Sequence, residues 1–455
     1  MSSTSSPPAL KSRKKKGTAR PPASRSLSAS EIARNLTNFE IWATHQKCEQ
    51  VAYSDIPAEF KDDVENLFNF SSKPKLPAVW ADPSSPEYKS LSKLGTKDFM
   101  DFLKKIHDQS PDLFGEIPDS DIRGLFPKMV IVYSAWRRLT MMKKSKEKYS
   151  EADYAANVYN VFRSPAIRES THRVQCNISL PQPIVTTNLG PEAIRILGTK
   201  AASPDCLVMI PSASIRKLSL SKDSPFQVLK QHRNVVKSGN VSKCSSFRFQ
   251  STPLVAPPET AAFQFCSSFW EDKKPVHQML EDAYRQNRMA TTAAARHLHS
   301  LHVKAPVIGL VWASGTVRAH VDWCSRPEGK NKPPVVYSAP YRVVTEEEAE
   351  DDVDGADIFK EWELERPADI AEVFFLIENI DHWTMNGFRD RAIKGVEDLV
   401  KSVVQQNEAF IPWKRVGDLA SSSAPAKEND TFISASTTSS AQSTPPQKSR
   451  SRRRR

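Results

Sequence analysis

Between about residue 149 and residue 325 the hydrophobic pattern switches between helical and strand period, and the order of the switches limits the architectures open to the chain. Ser150, Glu151 and Asp153 precede Tyr154, Val158 and Val161, the signature of a capped amphipathic helix. Residues 174–180 (VQCNISL) read as a strand, the apolar run CLVMI after Pro204-Asp205 as a second, and residues 262–270 (AFQFCSSFW) as a third. Residues 276–301 combine helical periodicity with high helix propensity. VIGLVW and VRAHVDW then read as paired strands around a turn at Gly315. The predicted order is helix, three strands, helix, strand pair, an α/β core.

The flanks differ in kind. Residues 30–148 are mostly helical by pattern, with amphipathic runs at 61–70 and 96–106 and an apolar-faced segment at 127–142 that Pro127 is placed to start. The α/β domain is expected to occupy 149–418, including an exposed acidic loop at 345–357 and two C-terminal helices within 367–417. Residues 1–28 and 419–455 are rich in Ser, Pro and basic residues, have little to bury and are expected to be disordered.

The net charge of +11 resides in those tails. Residues 1–25 hold seven basic side chains and no acid, and 443–455 hold six and no acid, leaving 51 basic against 53 acidic residues elsewhere. A basic binding face on the folded part therefore does not follow from the charge. Lys14, Lys15 and Lys16, with Arg452 and Arg453, are candidate localisation signals, and a nuclear or cytoplasmic location is expected. The six cysteines form no CxxC pair, which fits reduced thiols. No apolar run approaches the ~20 residues needed to span a bilayer, so no membrane partner is expected.

GxSxG, Walker A and GxGxxG patterns are all missing from the sequence, which removes the hydrolase, P-loop and dinucleotide signatures. His297, His299 and His302 have no HExxH pattern, and read as surface or packing histidines. What remains is acidic. Metal-dependent phosphodiester cleavage needs oxygen ligands for a hard cation and a lysine beside the scissile phosphate. In FWEDKKP (269–275), Glu271 and Lys273 share one face of a strand and Asp272 takes the other. Asp272 with Lys274 is the alternative register. Asp205 precedes an apolar strand, and Glu151 lies at the edge of its helix's buried stripe.

This order resembles the PD-(D/E)XK nuclease superfamily, with Pro204-Asp205 as the first acid and Glu271-Asp272-Lys273 as the second acid, spacer and lysine. More particularly, it resembles the nuclease-like domains of large intracellular protein families of fungi and other eukaryotic microbes. The spacer of such motifs is usually apolar, whereas here it is Asp272. The resemblance covers roughly 149–325 and implies a restriction-endonuclease-like fold with N- and C-terminal helical additions. It further implies Mg2+ or Mn2+ held by Asp205 and Glu271, with Lys273, Glu151 and Gln286 in catalysis. Arg285 and Arg288 would contact nucleic acid. The implied function is a metal-dependent phosphodiesterase acting on DNA or RNA. The alternative is a catalytically inactive nuclease-fold interaction protein, nuclear, whose tails contact nucleic acid or protein. Basic residues between 211 and 260 are either a phosphate-contacting loop or a solvated surface.

Overall fold

A computed structural model of the chain describes residues 25–416, except 69, 71–73, 188, 239–246, 261, 275–279, 328–331 and 343–358, and without the side chains of 119–123. Lys14, Lys15, Lys16, Arg452, Arg453, most of both tails and the acidic loop at 345–357 lie outside the described residues.

VIGLVWA, read as a strand, is buried at every position, as a strand covered by helices on both faces must be. In chain order the sheet takes β1 (Cys48–Gln50), β2 (Thr171–Val174), β3 (Cys206–Met209), β4 (Cys266–Asp272), β5 (Val307–Ala313), β6 (Thr316–Ser325), β7 (Val335–Pro340) and β8 (Trp362–Glu363). Across the sheet the order is β1-β7-β6-β5-β4-β3-β2, with β8 pairing β6. β2, β3 and β4 are antiparallel neighbours, and β4 runs parallel to β5. The β4–β5 crossover carries the long helix α5 (Leu280–Ser300), because parallel strands need a connection long enough to return to the same end. β5 and β6 are joined by Ser314 and Gly315, both with positive φ (55° and 78°), the pairing a two-residue hairpin turn demands.

The pleat sorts β5 into two faces. Val311 and Ala313 pack with Ala283 and Tyr284 of α5. On the same face Gly309 lies against His320, where a Cβ would come within 1.9 Å of Nε2, so any larger residue would force His320 to shift. Trp312 points the other way and packs on Tyr159 and Phe162. Those two belong to α4, which starts as Glu151–Tyr154, passes through a π-type turn at Ala155–Tyr159 and continues as Asn160–Ala166. Its N-terminus carries the expected cap: the Ser150 amide donates to Asp153 Oδ2 at 2.7 Å, and the Asp153 amide donates to Ser150 Oγ at 3.1 Å. The buried helix α6 (Pro367–Trp383) packs on α4 and on α2 (Lys97–Gln109). The described residues form one compact unit, so the N-terminal region packs on the α/β core and supplies β1, which pairs with β7. Among the described residues no helix is long and apolar enough to cross a membrane.

Several expected boundaries move. The segment 174–180 is not one strand. Gln175 has φ 50°, which breaks the run; β2 ends at Val174, and Ile178–Ser179 pairs instead with Ala201–Ala202. The third strand runs on to Asp272, so Glu271 and Asp272 lie inside it rather than after it. Pro127 sits within α3 (Asp119–Lys144) instead of starting it. The two C-terminal helices, α6 and α7 (Arg389–Val400), are joined through a π-type turn at Thr384–Phe388.

The 211–265 insertion leaves the C-terminal end of β3 and returns at the start of β4, where the Ile210 amide donates to Phe265 O at 3.1 Å. Asp205 and Glu271 lie at the other end of the same two strands, about 13 Å away for a four-residue strand. Among the described basic residues of the insertion, Lys217 pairs with Glu397, Arg233 donates to Asn407 and Arg248 to Pro258 O, and no hydrogen bond or ion pair joins them to Asp205 or Glu271.

Candidate functional site

Antiparallel pairing of β3 and β4 sets Cys206 opposite Trp270, which brings Asp205 alongside the end of β4. The Asp272 amide donates to Asp205 Oδ2 at 2.8 Å, so the first acid is held by the backbone of the second motif. The Lys273 amide donates to Trp312 O at 2.6 Å, continuing the β4–β5 ladder one residue beyond the strand. Alternation therefore persists through Lys273. Its Nζ lies 2.5 Å from Glu271 Oε1 and also donates to the Asp272 carbonyl at 3.1 Å. Glu271 pairs with Lys273, and the Asp272/Lys274 register is not the one formed.

Glu271 is 1% exposed, and its second oxygen, Oε2, is buried with no hydrogen-bond partner. Burial pushes the Glu271 carboxyl well above the usual range; Lys273 opposes the shift and Asp205 adds to it. Asp205 is pushed up to about 6, first by burial and next by the charge of Asp272. Burial works against the Lys273 ammonium, but Glu271 more than offsets it and holds the lysine above its ordinary value. A buried carboxyl and a half-buried one thus share one lysine, and both resist ionising. Glu151, half-buried at the start of α4, lies near enough to act on the charges of both Asp205 and Lys273.

Asp272, the unusual spacer, points away from this cluster. It accepts two bonds from Arg163 of α4, Nη1 to Oδ2 and Nη2 to Oδ1, each 2.8 Å. Arg163 is 1% exposed; its guanidinium lies 3.6 Å from the centre of the Trp312 ring and also faces Tyr159 and Trp270. Sequence reasoning missed Arg163. The available signal was a lone arginine four residues after Tyr159, on the apolar face of its helix.

The remaining expected site residues are not joined to the cluster. Gln286 is half-buried on α5, and among the described residues no hydrogen bond or ion pair links it to the acids. Arg285 is committed inside the fold, donating to Ala33 O at 2.7 Å and pairing with Asp282. Arg288 is 6% exposed, donates to Gln50 Oε1 at 3.3 Å and lies over the rings of Phe39 and Tyr284. Both guanidiniums brace α5 against the N-terminal region. A second buried polar cluster also went unread: His320 Nδ1 is 2.8 Å from Asp322 Oδ1, and its Nε2 is 2.8 Å from Asn287 Oδ1. Thr291 and Ser338 bond to the same Asp322 carboxylate. Of the three histidines, His302 lies past the end of α5 with φ 59°, and His297 is packed, 3.1 Å from Gln250 O and edge-on to Trp413, with burial holding it down at about 3.

Among the described residues, no group of three or more His, Cys, Asp and Glu side chains is arranged to hold a metal ion. Asp205 and Glu271 present two carboxylates, one with an unpartnered buried oxygen. No family model matches the chain, and no curated protein matches it.

Proposed function

We propose that the chain is a restriction-endonuclease-like nuclease that cleaves phosphodiesters of DNA or RNA with Mg2+ or Mn2+. The observation that carries this reading is the convergence of Asp205, Glu271 and Lys273 at one end of the β3–β4 pair, with Glu271 Oε2 buried and unpartnered. The element order supports it: helix, three antiparallel strands, crossover helix, then a strand parallel to the third. Magnesium is commonly held by one or two carboxylates, with waters and substrate phosphate completing its shell, so a two-acid site suits it. Asp205 and Glu271 would be the protein ligands. When bound, the ion supplies an activated water and neutralises charge on the phosphate.

The chain's own groups do the rest. Lys273, tied to Glu271 at rest, faces the position of the phosphate; at ~4 Å and an effective dielectric of ~20 its attraction is ~4 kcal/mol before desolvation. Glu151 adds negative charge at the rim, where it can orient a water. The test is incubation of the full chain with labelled single-stranded DNA, duplex DNA and RNA in Mg2+ or Mn2+. Chelator-sensitive cleavage that is lost in Lys273→Met is expected. Metal binding without cleavage would favour the inactive nuclease-fold alternative, and the absence of both would remove the reading.

A further inference from the structure

Asp272 occupies a position where an apolar residue would cost nothing to bury, yet it holds a charge that needs a partner from another helix. Its three polar groups each reach a different part of the site. The amide fixes Asp205 Oδ2 at 2.8 Å, and the carbonyl accepts from Lys273 Nζ at 3.1 Å. The carboxylate takes the Arg163 fork at 2.8 Å on both arms. Arg163 cannot swing away, because Tyr159, Trp270 and Trp312 surround its guanidinium. Tyr159 and Arg163 lie on the helix that begins with Glu151, and the Tyr159 hydroxyl donates to Lys273 O at 3.5 Å.

We propose that the Arg163–Asp272 pair is a positioning device for the metal ligands. It fixes the distance between the helix carrying Glu151 and the strand end carrying Glu271 and Lys273, and through the Asp272 amide it fixes Asp205. This inference rests on the metal-dependent reading above. A bidentate fork sets both distance and orientation, which a hydrophobic contact at the same place would not. Magnesium demands near-ideal octahedral geometry at 2.0–2.1 Å, whereas calcium tolerates 2.3–2.6 Å and irregular shells. A device that holds ligand spacing should therefore bear on which cation fits, as well as on affinity.

The test is titration of full-length wild type, Asp272→Asn and Arg163→Lys with Mn2+, Mg2+ and Ca2+ by calorimetry, with near-UV circular dichroism as the check on folding. Asp272→Asn keeps the shape and one acceptor, and Arg163→Lys keeps the charge and loses the fork. Folded variants are expected to bind Mn2+ about 10–100-fold more weakly, the usual effect of losing a group that orients a ligand. Their preference for Mg2+ over Ca2+ should also fall, a change that a loss of stability alone would not produce. Folded variants with wild-type affinity and selectivity would overturn the positioning role while leaving the metal reading intact. Unfolding of both variants would overturn it too, since the pair would then be a structural brace. Wild type that binds none of the three cations removes the metal reading and this inference together.

Discussion

Asp205→Asn should make the metal-free protein more stable. Asp205 is folded with its carboxyl pushed up to about 6 from an ordinary 3.8. Below about pH 4 the group is neutral in both folded and unfolded chains, and its contribution is level. Between about pH 4 and 6 only the unfolded chain ionises, so stability falls as pH rises. Above about 6 both forms are charged and the folded state carries the whole penalty, about 3 kcal/mol for a shift of about two pH units. Asparagine removes that charge and keeps an oxygen to accept the 2.8 Å bond from the Asp272 amide. At roughly 2 cal/mol/K per residue over the roughly 350 described residues, the gain is about 4 °C in melting temperature. The assay is thermal unfolding in chelator from pH 4 to 8. The difference between variant and wild type should be near zero at pH 4, grow through pH 6 and level off. Adding Mn2+ at pH 8 should then stabilise wild type and leave the variant unmoved. A variant less stable than wild type at pH 8, or a difference that does not change with pH, would refute the reasoning.

Arg163→Met leaves Asp272 buried and unpaired, and should cost about 3–5 kcal/mol in urea unfolding. Adding Asp272→Leu should recover most of that loss, and a double variant as unstable as the single one would count against the pair. Gly309→Ala drives a Cβ toward His320 and Asn287, and should cost at least 1–3 kcal/mol on the same assay. The basic tails are proposed to add weak nucleic-acid contact and nuclear targeting. Removing 1–25 and 443–455 should lower the salt slope of nucleic-acid binding by ~0.7–0.9 per lost phosphate contact, and an unchanged slope would dismiss the tails.

What could be read in advance was local. The Ser150–Asp153 cap needs residues three apart, and the shared face of Glu271 and Lys273 needs only the two-residue period of a strand. Those spacings are set by backbone geometry and appear directly in the sequence. The role of Asp272 is not of that kind. Its partner lies 109 residues earlier and is chosen by how α4 lies across β4 and β5, which no spacing encodes. Until the two meet, Asp272 reads as a defect in a motif; with Arg163 in place it is a buried, satisfied charge. The same holds for Arg288, whose charged side chain reads as a nucleic-acid contact but is buried against Gln50, Phe39 and Tyr284, residues of elements that no local pattern brings together. The strand boundary at Gln175 was hidden for another reason, since a left-handed residue other than glycine or asparagine carries little sequence signal.

β1 joins the sheet only beside β7, with Cys48 opposite Val336. At ~5–20 residues per second, a ribosome needs about 15–60 s to make the nearly 290 residues between them. For that interval β1 has no strand to pair with, and for most of it Phe39, in the neighbouring helix α1 (Leu36–Gln46), lacks the Arg288 that lies over its ring in the finished fold. The strand made before every other in its sheet is thus among the last to be paired.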